Sequence, residues 1–131
     1  EALVGDEVQD FEEAWRLEYF HILSGDKVLP TATIALKHED IIHQDASVGD
    51  GPVDAAFKAI DKIINEPVTL IDYRLQALTS GQEAMGEVHV TITNNGRKFV
   101  GRGASTDVIE ASIRAYLHAH NKLKHAQPKS D

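Results

Sequence analysis

Apolar and polar residues alternate most clearly in the second half of the chain. Val88, Val90 and Ile92 occupy every second position there, and the residues between them are polar. A period of two residues predicts a strand with one buried and one exposed face. Asn95-Gly96 follows this strand and is typical of a hairpin turn, because both residues tolerate a positive φ. We therefore predict a return strand over residues 98–102.

One more strand and a helix complete this unit. Residues 70–78 predict the first strand, with Ser80-Gly81 as its turn. A helix is expected over residues 107–123, where Asp107 and Glu110 have the spacing of a capping box. Small residues recur along this helix at a spacing of four: Ala111, Ala115 and Ala119. This stripe would let the helix lie close to a sheet or a second helix, and it suggests a surface suited to pairing.

The first half of the chain follows the same plan. Ala32, Ile34 and Leu36 alternate along a predicted strand. Gly49-Asp50-Gly51-Pro52 then ends a strand and opens a helix, because proline suits the first helical position, where no amide donor is needed. Asn65-Glu66-Pro67 ends that helix and links the two halves. The helix would bury one apolar stripe, made of Val53, Ala56, Phe57, Ile60 and Ile64.

The two halves superimpose without a gap when one is slid along the sequence onto the other. Trp15-Arg16-Leu17 then falls on Ile71-Asp72-Tyr73, and residues 54–60 fall on residues 110–116. An internal repeat of this kind indicates that one structural unit occurs twice. We predict an α+β fold made of two duplicated βββα units, related by a pseudo-two-fold axis.

The repeat also sets the expected domain limits. A single domain is predicted over residues 13–125, with the first repeat at about 13–66 and the second at about 69–123. Residues 1–12, which are rich in acidic side chains, are expected to be the end of a linker. Residues 126–131 are expected to form a tail.

Composition limits the possible partners. The chain has 21 acidic and 13 basic residues, for a net charge of −8, which argues against a nucleic-acid backbone or an anionic membrane as its target. No apolar run approaches the roughly 18 residues of a membrane span, and the acidic N-terminus lacks a signal-peptide pattern. Cysteine is absent, which excludes disulfides, thiolate metal sites and cysteine nucleophiles. We expect a soluble, cytoplasmic protein.

The glycine turn before the first helix is the strongest local feature. Amides at a helix N-terminus are free and carry partial positive charge, so Gly49, Asp50 and Gly51 could receive the carboxylate of an amino acid. Asp107 begins the second helix at the position equivalent to Gly51, and it could receive an ammonium group. The pseudo-two-fold axis would bring both helix ends into one pocket. The simpler interpretations are a plain turn and a plain N-cap.

Catalysis and metal binding find little support. The seven histidines include no His-Glu-x-x-His spacing, and His118 and His120 face different sides of a helix. No serine lies in an elbow motif beside a base, and packing is the simpler role for Ser112. We expect no catalytic residue, metal site or cofactor in this domain.

Three stretches resemble a known family. Residues 73–81 read YRLQALTSG, residues 101–112 read GRGASTDVIEAS, and residues 49–55 read GDGPVDA. They are similar to the C-terminal regulatory domain of α-isopropylmalate synthases, the LeuA dimer domain, and the resemblance covers about residues 14–124. It implies a duplicated three-strand-plus-helix unit, a homodimer, and feedback inhibition of leucine biosynthesis by leucine. In that family the catalytic barrel, with its divalent metal and acetyl-CoA chemistry, lies N-terminal to this domain.

The resemblance also implies which residues bind the effector. They belong to the glycine turn and the helix after it, to a strand aromatic, to a small-residue pocket floor and to the start of the second helix. These positions are Gly49, Asp50, Gly51, Asp54, Tyr73, Ala77, Ala84 and Asp107. Where the family's turn often reads Gly-Asn-Gly, this chain has Gly-Asp-Gly, which adds a negative charge near the expected carboxylate.

Three other functions are left open by the sequence. The first is the regulatory domain of a citramalate synthase, which senses isoleucine. The second is a dimerisation module that binds no ligand, and the third is an enzyme in its own right. Titration with leucine, isoleucine and valine would remove most of this uncertainty.

Overall fold

The computed structural model describes residues 13–78 and 84–127. The first unit has strands β1 (Arg16–Gly25), β2 (Val28–His38) and β3 (Ile41–Val48), followed by helix α1 (Pro52–Ile64). The second has β4 (Thr69–Ala77), β5 (Gly86–Asn94), β6 (Arg97–Ser105) and helix α2 (Val108–Ala126). Each set of strands forms an antiparallel three-stranded sheet in chain order. The predicted α+β fold of two βββα units is confirmed.

The observed boundaries lie close to the predicted ones. The strand predicted over residues 70–78 is β4, and the helix predicted over residues 107–123 is α2. Asn65 ends α1 in the left-handed region, with a φ of 57°, where the sequence predicted the stop. The Ser80-Gly81 turn, residues 1–12 of the expected linker and residues 128–131 of the expected tail lie outside the described residues.

Each helix covers one face of its own sheet. Side chains at every second strand position line these faces and are fully buried: Ala32, Ile34 and Leu36 on β2, and Val88, Val90 and Ile92 on β5. Of the stripe predicted for α1, Ala56, Phe57 and Ile60 are buried, whereas Val53 and Ile64 are partly buried. The alternation in the sequence therefore identified the core faces of both central strands.

The two helices contact each other through an aromatic stack. The ring of Phe57 lies 4.1 Å from the ring of Tyr116, with 10° between the ring planes. The Tyr116 hydroxyl donates a hydrogen bond of 2.6 Å to Oδ1 of Asp61. Burial raises the pKa of Tyr116, which keeps this hydroxyl protonated, and burial also raises the pKa of Asp61. These contacts join the two units into one core.

The two units are not related by one constant offset along the sequence. In the second and third strands, equivalent residues of the two units are as far apart along the chain as the superposition predicts. The pair Thr31 and Val48 in the first sheet corresponds to the pair Glu87 and Ala104 in the second. Equivalent residues of the first strands lie closer together along the chain than predicted. The pair Phe20 and Ile34 in the first sheet corresponds to the pair Tyr73 and Val90 in the second. With this smaller offset, β1 and β4 share an irregularity in register, which lies after Leu17 in one strand and after Leu70 in the other.

The gapless superposition of Trp15-Arg16-Leu17 on Ile71-Asp72-Tyr73 is therefore wrong. The reason is the length of chain that joins the paired strands: ten residues lie between Gln76 and its partner Glu87, whereas seven lie between the equivalent pair, Leu23 and Thr31. Because strand side chains alternate between faces, an error of an odd number of positions assigns side chains to the wrong side of the sheet. Phe20 is the counterpart of Tyr73.

Helix α2 lies in direct backbone contact with β6. A Cβ atom on Gly101 or Gly103 would come within 3.0 Å of backbone atoms of Ala115, closer than real Cβ atoms approach. The predicted alanine stripe therefore packs against the sheet of its own unit. Ala111, Ala115 and Ala119 are fully buried there. The stripe is consequently not the pairing surface that the sequence suggested.

The start of α2 is capped, but not by a complete capping box. Oδ1 of Asp107 accepts a hydrogen bond of 2.9 Å from the amide of Ile109. The amide of Asp107 donates to Oγ of Ser105 instead of to Glu110. Glu110 is used elsewhere, since it accepts from Ser105 Oγ at 3.2 Å and from Arg114 Nε at 2.9 Å.

Gly101→Ala should destabilise the fold. Its methyl group would meet the backbone of α2, which can move away only by separating from β6. We expect chemical denaturation to show a loss of about 1–3 kcal/mol in the free energy of unfolding. Gly51→Ala is the matched control, because nothing lies within 4 Å of a Cβ there. Equal stability of the two variants would contradict the close contact.

His120 is a polar side chain in the core. It is 2% exposed, and neither ring nitrogen has a hydrogen-bond partner among the described residues. Its ring meets that of Tyr116 edge-on, at 4.8 Å between centroids. Burial lowers the pKa of His120 to about 4, so the folded core holds this imidazole neutral.

Stability should fall as the pH falls from about 6.5 to about 4. In that range the unfolded chain binds a proton on His120 and the folded chain does not, so protonation favours unfolding. The lost free energy of unfolding should reach roughly 3 kcal/mol. Denaturation curves of the wild type and of His120→Gln, measured at several pH values, isolate this contribution from that of the carboxylates. An identical pH dependence in both proteins would show that His120 does not titrate in this way.

Candidate functional site

The turn before α1 places predicted site residues at an open helix N-terminus. Gly49 is buried and its amide donates to the carbonyl of Pro30 at 3.1 Å. Gly51 is the N-cap residue in an extended conformation, and no side chain caps the helix there. Nothing lies within 4 Å of the place where a Cβ of Gly51 would be. The start of α1 therefore has no side-chain cap, and the space beside Gly51 is open.

The two glycines have different roles. A Cβ on Gly49 would lie 2.7 Å from Cα of Ala55 and from Oδ2 of Asp54, so this glycine lets the turn pack on its own helix. A Cβ on Gly51 would meet nothing. Of the pair that sequence analysis assigned to ligand contact, only Gly51 borders space that a ligand could occupy.

Asp54 holds the turn together. Its Oδ2 accepts a hydrogen bond of 2.8 Å from the amide of Asp50 and lies 3.1 Å from Nζ of Lys58. The amide of Asp50, first, and Lys58, second, lower the pKa of Asp54, so it stays ionised. The carboxylate of Asp54 is thus engaged by the protein itself. The side chain of Asp50 is exposed and supplies the extra negative charge noted in the sequence.

Asp107 lies at the start of α2, as predicted. One of its oxygens is the N-cap acceptor for Ile109, and the residue is exposed. The N-cap interpretation is therefore correct. Because that bond uses a single carboxylate oxygen, the two roles considered for this residue are compatible. The two helix starts differ, because α2 is capped by a carboxylate and α1 is not.

Tyr73 stands between the two helices. Its hydroxyl lies 2.6 Å from Oγ of Ser112, which in turn donates to the carbonyl of Val108 at 2.8 Å. Because that serine proton is already used, Tyr73 is the donor to Ser112. The ring of Tyr73 also lies 6.5 Å from that of Phe57 on α1. Tyr73 thus links the first turns of α2 with α1.

Ala77 and Ala84 lie at the far end of the second sheet. Ala77 is the last residue of β4 and pairs with Gly86, and both alanines are exposed. A Cβ on Gly86 would lie 3.2 Å from Leu75 and 3.9 Å from Val108, so this end of the sheet adjoins the start of α2. Residues 79–83 of the connection lie outside the described residues, and the pocket floor remains a prediction.

The eight predicted residues therefore form two groups. Gly49, Asp50, Gly51 and Asp54 surround the start of α1, whereas Tyr73, Ala77, Ala84 and Asp107 surround the start of α2 and the end of β4. Phe57, one turn after Asp54, connects the groups through Tyr73. The contact of Phe57 with Tyr73 and the bond from Tyr73 to Ser112 were not predicted from the sequence. The sequence feature that could have indicated this bond is Ser112, a polar residue among the small residues of α2.

An exposed apolar patch surrounds Tyr73. It consists of Leu70, Tyr73, Leu75 and Val108, which are between 37% and 50% exposed, and we call it the β4 patch. Its β4 members lie on the helix-covered face of the sheet, but α2 packs over β5 and β6 and leaves this edge strand uncovered. Their counterparts in β1 are partly buried against the core: Leu17, Phe20 and Ile22.

A separate cleft of about 290 Å³ lies between the start of β1, β6 and α2. It is lined by Trp15, Leu17 and Leu117, together with Arg102, Arg114 and Asn121 among others. Asn121 fixes its edge by bonding both the amide and the carbonyl of Trp15, at 2.8 and 2.9 Å. None of the eight predicted site residues lines this cleft.

Two further features of the described residues concern metal binding and membrane insertion. Among them, no three His, Cys, Asp or Glu side chains lie close enough together to hold a metal ion. Neither described helix is long and apolar enough to cross a membrane.

Fold and site together define an internally duplicated βββα domain built around two adjacent helices, with one capped and one open helix start. The model of the LeuA allosteric (dimerisation) domain matches residues 1–124, and the chain belongs to that family. The sequence resemblance is thereby confirmed.

Proteins named 2-isopropylmalate synthase are similar to the chain. One from Heliobacterium modesticaldum is 50% identical over 121 residues, which is 92% of this chain and 24% of the relative. Others from Gloeobacter violaceus and Carboxydothermus hydrogenoformans are each 47% identical, over 96% and 94% of this chain. The chain spans about a quarter of the length of these relatives.

Proposed function

We propose that this chain is the leucine-binding regulatory domain of a 2-isopropylmalate synthase. Membership of the allosteric domain family and the names of the relatives support the regulatory role. The observation that carries the assignment of the site is the uncapped start of α1, where Gly51 borders open space. Free amides at a helix start suit a carboxylate, which every amino-acid effector carries.

Leucine would lie between the two groups of predicted site residues. Its carboxylate would accept hydrogen bonds from the first-turn amides of α1 beside Gly51, and its ammonium group would pair with the exposed carboxylate of Asp107. The branched side chain would pack near Tyr73, with Ala77 and Ala84 leaving depth for a chain that branches at Cγ. Asp54 would position the turn rather than touch the ligand, because its carboxylate is engaged by Asp50 and Lys58.

The same region supports a homodimer. The β4 patch exposes apolar side chains on a face that the first unit keeps partly covered, and a second copy of the chain would cover it. Tyr73 belongs to both the patch and the proposed site. Dimerisation and effector binding would therefore share a residue, so that leucine could stabilise one arrangement of the dimer.

We assign catalysis to the remainder of the parent polypeptide. The relatives are about four times as long as the matched region and are named as synthases. The acetyl-CoA-dependent acyl transfer, its divalent metal and any cofactor would belong to that remainder, in the cytoplasm. The described residues would contribute regulation and pairing.

Leucine should bind to the purified chain, and isoleucine and valine should bind more weakly. All three share the groups that the helix starts would hold, so selectivity must come from the side-chain pocket. A misplaced methyl or methylene group changes binding by on the order of 1–3 kcal/mol, or about ten- to 200-fold. Calorimetric titration measures the three affinities. Isoleucine binding as tightly as leucine would move the chain to the citramalate synthase branch, and no binding of any of them would leave a ligand-free dimerisation module.

Gly51→Val should weaken leucine binding at least about tenfold while the domain remains folded. The valine side chain would fill the space at the α1 amides, but no protein atom lies within 4 Å to clash with its Cβ. The cost in folding free energy should be at most about 1 kcal/mol. Gly51→Ala provides a smaller step at the same position. A normal titration curve for Gly51→Val would remove this turn from the binding site.

Leu75→Lys should shift the chain from dimer to monomer. The substitution places a charge in the centre of the β4 patch, where a partner would have to bury it. Light scattering at tens of micromolar measures the mass, and Gln76→Lys, the next residue on the opposite face of β4, is the control. A monomeric wild type, or a Leu75→Lys variant that remains dimeric, would exclude this patch as the interface.

A further inference from the structure

The outer face of the first sheet carries large apolar side chains among polar ones, which include Thr31, Thr33 and Gln44; we call it the apolar face. This face points away from α1, and five of its large apolar side chains are between 48% and 64% exposed: Tyr19, Leu23, Leu29, Ile42 and Val48. The small residues Ala35 and Ala46 lie between them on the same face, since Ala35 is opposite Tyr19 and Gln44, and Ala46 is opposite Thr33. The described residues contain no helix that covers this side.

The corresponding face of the second sheet is polar. When the two sheets are aligned by their strand pairing, Tyr19 corresponds to Asp72, Leu23 to Gln76, and Ile42 to Lys98. These pairs occupy equivalent places in equivalent sheets. The βββα architecture itself therefore does not require apolar side chains at these positions.

Charged side chains on the polar face form ion pairs with one another, as is usual on an exposed surface. Arg74 lies 3.0 Å from Asp72, and His89 lies 3.0 Å from Glu87, so charged groups pair across its surface. An antiparallel sheet with one face in water normally shows this polar pattern. A face that exposes several large apolar side chains, as the first sheet does, favours a contact surface.

We propose that the outer face of the first sheet packs against the remainder of the parent polypeptide and passes the effector signal to it. This inference rests on the proposed function, which makes the chain one domain of a longer synthase. Relatives are about four times as long as the matched region, so most of such a polypeptide lies outside these residues. The second copy of the chain is already assigned to the β4 patch, which lies on the helix-covered face of the other sheet.

The charges on this face indicate which partner surface would be complementary to it. Among the paired strand residues that point outward from this sheet, Arg16, His21 and Lys37 are basic and none is acidic. This is unusual in a chain whose net charge is −8. A fitting partner surface is apolar at its centre, with a carboxylate placed to meet Arg16 and Lys37, which lie opposite each other.

Cysteine labelling tests the contact directly, because the chain has no cysteine of its own. Leu23→Cys places a thiol on the apolar face, and Gln76→Cys places one at the corresponding position of the polar face. Each is made in the full-length synthase and in the isolated chain, and maleimide labelling is followed by mass spectrometry of the peptide concerned. We expect Leu23→Cys to react at least about tenfold more slowly in the full-length protein, and Gln76→Cys to react equally fast in both.

Equal labelling of Leu23→Cys in the two proteins would overturn the proposal. Protection that occurs in the isolated chain and grows with its concentration would also overturn it, since a second copy would then be the occupant. Leucine titration of the same full-length protein keeps the two proposals distinct. If leucine binds and Leu23→Cys is unprotected, only the docking inference fails; if protection is seen without leucine binding, only the proposed effector fails.

Signal transfer has its own readout. In the full-length synthase, Leu23→Lys should keep leucine binding within about twofold, while the leucine concentration for half-maximal inhibition rises at least about tenfold. Gln76→Lys should change neither quantity. Inhibition of Leu23→Lys at the wild-type leucine concentration would show that the signal does not pass through this face.

Discussion

A three-stranded sheet can cover only one side of the helix that packs on it, so each βββα unit leaves part of its helix in need of cover. The stack of Phe57 on Tyr116 answers that requirement by setting α1 against α2. Tyr116 could not be buried without a partner for its hydroxyl, and Asp61 supplies one from the other helix. The counterparts of the stacked pair are Ile113 and Ile60, both fully buried. The duplication is therefore least symmetric at its centre, where one pair of aromatic rings fixes how the two units meet.

That asymmetry extends to the places where we propose that the domain meets other molecules. The first helix begins at an uncapped glycine turn, whereas the second is capped by Asp107. The edge strand β1 is partly covered, whereas β4 exposes the patch around Tyr73. A duplicated unit supplies two equivalent copies of each surface. Stability requires only one copy of each to be covered by the protein itself. The other copy is then available for a ligand or a partner.

Much of the fold could be predicted because its core strands obey a simple period. Val88, Val90 and Ile92 alternate without interruption, and all three are buried. The edge strands could not be placed in this way, because β4 contains an irregularity beside Ile71 and ends in a connection whose length only pairing reveals. The candidate site residues could be placed at a pair of helix starts, but the different surroundings of Gly49 and Gly51 could not be predicted. The difference between the two glycines depends on how closely α1 approaches its own turn, and that distance cannot be predicted from the sequence.

The arrangement of the first unit also suggests a route from effector to partner. Helix α1 packs on β2 and β3, and the outer sides of those strands carry most of the apolar face. A carboxylate bound at the start of α1 would hold the helix at its glycine turn, and a close-packed interior transmits such a displacement instead of absorbing it. The second unit is built differently, with α2 locked to β6 through backbone contact at Gly101 and Gly103. In this scheme α2 and its sheet are the fixed support, and α1 with the first sheet is the element that responds.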